Sequence, residues 1–138
     1  MALKLLNTLA GAWIIWVLCM GCATMQEKQR MEDFSLTSNA YAKAMRWSQF
    51  ELAYVFHRGS LSGEDLPDFE KLKNYKVVNY NLLGLFPSED KQRVSQVVEI
   101  RYFRTDTMVV RSVQKQQLWV YDDTEERWFI ESRFLDFK

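Results

Sequence analysis

The second half of the chain alternates apolar and polar residues with a period of two. Four runs rich in β-branched and aromatic residues carry this alternation, which is typical of half-buried strands. The runs are Tyr75–Phe86, Arg93–Arg104, Val109–Tyr121 and Arg127–Ser132. Short polar segments separate them, and short connections join neighbouring antiparallel strands. The pattern therefore predicts a four-stranded antiparallel meander.

Apolar residues before the strands recur with the period of a helix. Tyr41, Ala44 and Met45 share one helical face. A second helix start follows at Ser48–Glu51, which matches the S-x-x-E capping box. We predict two helices with a break near Trp47-Ser48, the second one ending at Gly59. Helices followed by a curved four-stranded meander make an α+β fold.

The N-terminal segment is apolar and begins with a single positive charge. Lys4 is the only charged residue before Glu27. A short positive region, an apolar stretch and then small residues are the layout of a secretory signal. An uncleaved transmembrane helix is the alternative, because the uncharged stretch Leu5–Met25 is long enough to span a bilayer.

The end of this segment, Leu18-Cys19-Met20-Gly21-Cys22-Ala23, resembles the lipobox of bacterial lipoproteins. Gly21 before Cys22 fits the pattern, whereas Cys19 stands where leucine is usual. The resemblance implies a signal peptide over residues 1–21 and a lipidated Cys22. It also implies an anchor in the outer membrane on the periplasmic side, because Ala23 stands where an aspartate would favour the inner membrane.

Ala23 to Ser35 is mostly polar and charged, which indicates a tether or a frayed helix. With the cysteine that the lipobox resemblance implies to be lipidated, residues 22–37 precede a domain over residues 38–138. This domain resembles the NTF2-like, or SnoaL-like, cone fold. The resemblance is carried by Met45–Phe50 at the helix break and by Gln117–Asp122 with Arg127-Trp128 in the last hairpin. It implies N-terminal helices packed in the concave face of a bent antiparallel sheet.

Composition excludes several function classes. The 18 basic and 18 acidic residues balance, and no basic run predicts nucleic-acid binding. Both cysteines lie in the N-terminal segment, so a disulfide framework is not expected in the domain. A single histidine and no cysteine in the domain give no metal site, and no cofactor motif is present.

Candidate pocket residues come from the third strand and the histidine. Ser112, Gln114 and Gln116 fall on one face of that strand. If this face is concave, they line an apolar pocket for a small ligand together with Tyr102. His57 is either a general base in the cone or a helix-end residue that suits the helix dipole.

The alternate face of the third strand carries Arg111, Trp119 and Tyr121, a composition typical of interfaces. We predict a homodimer or an envelope-protein partner on this face, unless the two faces are exchanged. The favoured function is a non-catalytic accessory, binding or scaffold lipoprotein. The alternative is a small SnoaL-like enzyme, of isomerase or hydrolase type, that uses the cone.

Overall fold

A computed structural model describes residues 2–63 and 65–138, with side chains from residue 21 onward. The predicted signal segment, Gly21 apart, thus lies outside the residues whose side chains are described. Within the described part of the chain, no helix combines the length and the hydropathy that a membrane span requires.

The first helix is longer than the pattern indicates. Helix α1 runs from Ala2 to Arg46 without a break, so the predicted tether is helical in the structure. Phe34, which lies in that stretch, is buried edge-on against Trp119 and Trp128. Met31 and Phe34 extend the apolar stripe of Tyr41 and Met45 at helical spacing, but the polar residues around them obscure it in the sequence.

The predicted break at Trp47-Ser48 is confirmed, although its chemistry differs from a capping box. Ser48 adopts a left-handed conformation with φ of 55°, and its hydroxyl accepts a hydrogen bond from the backbone N–H of Val77 at 2.8 Å. No side chain caps the next helix, α2 (Phe50–Tyr54). Ser48 therefore joins the helical corner to the sheet.

Two short helices complete the helical part. The second predicted helix does not continue to Gly59, because α2 ends at Tyr54 and α3 spans Gly59–Ser62. Helix α4 spans Phe69–Leu72, where Asp68 caps it by accepting from the Lys71 N–H at 3.0 Å.

The predicted meander is confirmed. Its strands are β1 (Tyr75–Pro87), β2 (Arg93–Arg104), β3 (Val110–Asp122) and β4 (Arg127–Ile130). They form one antiparallel sheet in the order β1-β2-β3-β4, so helices followed by an antiparallel sheet give an α+β arrangement. Strand β1 has irregularities after Val77 and after Leu82, and across the first the buried positions change from Tyr75 and Val77 to Tyr80.

The sheet has an inner face covered by helices and an outer face. Val94, Val98 and Ile100 of β2 are fully buried on the inner face, where α1 places Tyr41 against Trp119 and Tyr80. On the outer face, Arg58 and Arg127 cover the ring of Phe129. The helices therefore bury one side of the sheet, as is common for antiparallel sheets.

The C-terminal segment (residues 131–138) has no regular structure but closes one end of the core. Phe137 is buried against the rings of Phe50, Tyr75 and Tyr102. Two exposed ion pairs, Lys71–Asp136 at 2.7 Å and Arg133–Asp65 at 3.2 Å, lie along its length.

Candidate functional site

His57 lies inside the core, between the helical region and the last strand. Its Nδ1 is 2.9 Å from the carbonyl oxygen of Ser132, and its Nε2 is 3.4 Å from the hydroxyl of Tyr41. A carbonyl only accepts hydrogen bonds, so Nδ1 carries the proton and Nε2 accepts from Tyr41. The backbone around His57 is fixed as well, because Arg58 N–H donates to Ile130 and Ile130 N–H donates to Phe56.

The hydrogen bonds continue from Tyr41 to the sheet. The Gln117 amide donates to the Tyr41 hydroxyl at 3.4 Å, and the Tyr80 hydroxyl donates to the Gln117 carbonyl oxygen at 3.0 Å. This buried hydrogen-bonded network thus runs from Tyr80 through Gln117, Tyr41 and His57 to the Ser132 carbonyl. Each residue donates a hydrogen bond to the next. Each amide, hydroxyl and imidazole group in it has a partner, which is what burial of polar groups requires.

Burial sets the ionisation of the side chains in this network. It lowers the pKa of His57 to about 4, although the hydrogen bond to Ser132 acts in the opposite direction. Burial also raises the pKa of Tyr41 well above its ordinary value, helped by Tyr80 and opposed by the Gln117 hydrogen bond. The pKa of Tyr80 is raised by burial too. All three groups are therefore neutral near pH 7.

The chemistry available to this buried hydrogen-bonded network is limited. The buried polar residues among those described are His57, Gln96 and Gln117, and none is a carboxylate. A general base needs a group that orients it and access to a substrate proton. His57 has only 4% of its surface exposed, so it satisfies hydrogen bonds within the core.

The predicted pocket does not form from the residues that were expected to line it. Ser112, Gln114 and Gln116 are exposed on the outer face, whereas Tyr102 and His57 are buried on the inner side. Tyr102 pairs with Arg111 in the sheet register, and Ser112 pairs with Arg101. Tyr102 donates instead to the Lys138 carbonyl oxygen at 3.1 Å.

The predicted interface lies on the face that packs in the core, so the exchanged arrangement of faces is the one observed. Trp119 is completely buried, and its indole N–H donates to the Gln96 side chain at 3.0 Å. Tyr121 is half-buried beneath the guanidinium of Arg30. Arg111 is exposed but donates to the Lys138 carbonyl at 3.0 Å.

Cations and aromatics together suggested an interface on this face of β3, yet the face lies in the core. Gln117 on it and Gln96 on β2 are buried and hydrogen-bonded to Tyr80, Tyr41 and Trp119. The apolar residues of β2 that pair with this face are the sequence signal that could have identified it as the inner face. Val94, Val98 and Ile100 share the parity that the register brings opposite Trp119, Lys115 and Val113.

The outer face carries the polar residues that remain. Glu99 lies beside Gln114, and Arg101 lies beside Ser112, while Leu118 and Val120 are half-buried nearby. Open clefts lie elsewhere. One of about 330 Å³ follows the corner at Ser48–Leu52, and one of about 440 Å³ lies between α1 and the β3–β4 turn.

Cys22 is exposed on α1, well before the part of the helix that packs on the sheet. Further along α1, Arg30 is joined to the sheet, because its carbonyl oxygen accepts a hydrogen bond from the Trp128 indole N–H at 3.0 Å. In the described part of the chain, no three His, Cys, Asp or Glu side chains are grouped to hold a metal.

Comparison of the chain with protein-family models, curated proteins and solved structures found no match.

Proposed function

We propose that this chain is a lipid-anchored envelope protein with a non-catalytic scaffold role. The observation that carries the proposal is the distribution of polar groups. The histidine is neutral and enclosed in the core, while the amides and hydroxyls of β3 are displayed on an open sheet face. This arrangement suits binding of a protein surface better than it suits proton transfer, which weighs against the SnoaL-like enzyme.

The anchor in this proposal is Cys22. It is exposed and lies on α1 outside the core, so an acyl group there would not disturb packing. A diacylglyceryl cysteine with a further acyl group supplies more than one chain, as stable anchoring requires. The lipobox-like sequence before it supports export to the envelope, and Ala23 after it supports retention at the outer membrane, facing the periplasm.

The anchor is tested by metabolic labelling with a fatty acid. Cys22→Ser should abolish incorporation and leave a precursor of full length, whereas Cys19→Ser should still be labelled. Normal labelling of the Cys22→Ser protein would contradict the lipoprotein and favour the uncleaved transmembrane helix.

We also assign the fold to the NTF2-like class as part of this proposal. Support comes from α1, which lies across the inner face of a four-stranded meander and places Tyr41 against Tyr80 and Trp119. Phe34 and Phe137 are buried in the core between the helices and this sheet.

The binding surface in this proposal is the outer face of the sheet, and its partner is a second copy. Glu99 and Gln114 are register neighbours, as are Arg101 and Ser112. A two-fold axis running along the boundary between β2 and β3 would place each charge against the neutral residue of the other copy. Like charges would not meet, and two sheets packed face to face would bury the half-exposed Leu118.

The same axis is compatible with a shared membrane. Helix α1 leaves the domain at the end of the sheet where Arg30 contacts the Asp90 carbonyl and the Tyr121 ring. Rotation about an axis parallel to the strands keeps both copies of α1 at this end. Both Cys22 residues could then be held by one bilayer.

Charge variants of Gln114 test this interface. Gln114→Glu would face Glu99 of the other copy and should weaken the dimer, whereas Gln114→Lys should preserve or strengthen it. Lys115→Glu, on the inner-face side of the same strand, is the matched control and should have no effect. Cross-linking in membranes and sedimentation in detergent measure the outcome. A monomeric wild-type protein, or equal behaviour of both Gln114 variants, would contradict the dimer.

A further inference from the structure

The two edges of the sheet differ in length and in cover. Strand β4 has four residues, and its Ile130 exchanges backbone hydrogen bonds with Phe56 and Arg58, which closes that edge. Strand β1 has 13 residues. It carries no charged residue from Val77 to Pro87, although charged side chains are a common means of preventing edge-to-edge pairing. A long strand with an uncharged stretch therefore forms the other edge.

The helical corner covers only the first half of the β1 edge. The Ser48 hydroxyl accepts from the Val77 N–H at 2.8 Å, and Arg46 donates to the Tyr80 carbonyl oxygen at 3.2 Å. Val77 and Tyr80 thus direct these backbone groups away from β2. Over residues 82–87, no described residue outside the sheet forms a hydrogen bond with this edge. The second half of the edge is open.

The register identifies the backbone groups that the open half presents. The β2 partners of Tyr80, Leu82 and Leu85 are all buried residues of the inner face. Leu82 and Leu85 therefore direct their N–H and C=O groups outward, as Tyr80 does. Their side chains belong to the inner face, yet they are 53% and 41% exposed, so the helices leave them uncovered.

We propose that this open edge pairs with the same edge of a second copy. In an antiparallel pair about a two-fold axis perpendicular to the sheet, Leu82 of each copy lies opposite Leu85 of the other. Both residues of such a pair donate and accept, so the backbone groups of the open edge find partners. The leucines of the two copies meet on the inner side, and the two sheets become one. This pairing does not depend on the proposed anchor or on the face-to-face dimer.

The two ends of the open half fit a second copy. The register brings Tyr80 opposite Pro87, which has no N–H to donate, and the Tyr80 carbonyl already accepts from Arg46. Lys76 precedes the open half and Glu89 follows it, and both are exposed. Antiparallel pairing therefore brings a cation of one copy near an acid of the other at each end. This charge complementarity favours a second copy as the occupant of the edge.

Edge pairing places the two copies of α1 at opposite ends of the joined sheet. Helix α1 leaves the domain at the end where Arg30 contacts the Asp90 carbonyl, and the two-fold axis reverses the strand direction. With the proposed anchors, edge pairing would link copies held in two facing bilayers, whereas the face-to-face contact links neighbours in one.

Hydrogen exchange of the full chain in detergent, measured over a range of protein concentrations, tests the pairing. The amides of Leu82 and Leu85 should become protected as the concentration rises. The amides of Gly84 and Phe86, which alternate with them and face β2, should be protected at every concentration. The Gln114→Glu variant should behave in the same way, because the face-to-face dimer does not cover this edge. Exchange at Leu82 and Leu85 that is independent of concentration would overturn the proposal.

Substitutions on β1 provide a second test, with sedimentation in detergent as the measurement. Leu85→Pro removes an outward N–H and leaves the hydrogen bonds to β2 intact, as proline on an edge strand can. It should lower the association constant about tenfold or more, because each pair loses two hydrogen bonds. Leu85→Ala keeps the N–H and should have a smaller effect. A folded Leu85→Pro protein that associates as the wild type does would contradict the pairing.

Charge variants separate a second copy from any other occupant, and they decide the matter if Leu85→Pro does not fold. Lys76→Glu should weaken the pair because it places two acids together at each end. Combining it with Glu89→Lys should restore association, since the charges are exchanged. A double variant no stronger than Lys76→Glu alone would overturn the self-pairing, as would protection of Leu82 and Leu85 that appears only on addition of an extended peptide.

Discussion

Individual side chains in this core combine apolar burial with a fixed hydrogen bond. Trp119 illustrates this, because its ring is fully buried against Phe34 and Tyr41 while its N–H reaches Gln96. A tryptophan placed this way provides a large apolar contact without leaving a polar atom unsatisfied.

Trp119→Ala should therefore destabilise the domain by about 3–5 kcal/mol, because it leaves a cavity in the centre of the core. Leu118→Ala, one position along on the outer face, should cost much less. Chemical denaturation of both variants measures the difference. A stable Trp119→Ala protein with altered self-association would return Trp119 to an interface role.

Gln117 and Gln116 form a second pair of neighbours with different roles. Gln117 is buried between two tyrosine hydroxyls, whereas Gln116 is exposed and donates to Ser95. Gln117→Ala should cost about 1–3 kcal/mol because Tyr41 and Tyr80 lose their partner. Gln116→Ala should change the free energy of unfolding by about 0.5 kcal/mol or less. An equal loss of stability in both variants would mean that the buried hydrogen-bonded network does not contribute to the stability of the fold.

The elements with a clear sequence period were predicted well. The four strands differ from expectation by at most two residues at their ends, because β-branched and aromatic alternation is local information. The strand faces were not predictable in the same way. A shift of one residue exchanges them, and the exposed cations Arg111 and Lys115 share the face of the buried Trp119, which made that face resemble an interface.

The extent of α1 was also missed for a physical reason. Residues 26–33 are mostly polar, so the helix there depends on the packing of Met31 and Phe34 on the core and on the hydrogen bond from the Trp128 indole to the Arg30 carbonyl. The hydrogen-bond partners in the candidate site were missed because they too depend on tertiary contacts. His57 was found as a candidate, but its partners Tyr41, Gln117 and Ser132 come from distant elements whose meeting requires the tertiary fold.

Phe34→Ala should destabilise the domain by about 3–5 kcal/mol, as expected for a buried phenylalanine. Leu36→Ala is the matched control, because Leu36 is 72% exposed on the same helix. Thermal unfolding of both variants provides the comparison. An unaffected Phe34→Ala protein would show that the domain begins after this residue, as the sequence pattern suggested.

At the scale of the molecule, an aromatic core provides the cohesion. Edge-on ring contacts run from Phe34 through Trp119 and Tyr41 to Tyr80 on the inner side of the sheet. We expect the full chain to unfold with the same midpoint in the presence or absence of EDTA and of a reductant. Calorimetry in detergent measures this, and a large shift with either reagent would reveal a metal or disulfide contribution.

The continuity of α1 has a mechanical consequence. Cys22 lies about two helical turns, roughly 12 Å, before the point where Arg30 fastens the helix to the sheet. In the proposed lipoprotein, a lipid attached at Cys22 would thus hold the domain close to the bilayer through a rigid helical spacer. Encounters between neighbouring molecules would then be restricted to the membrane plane.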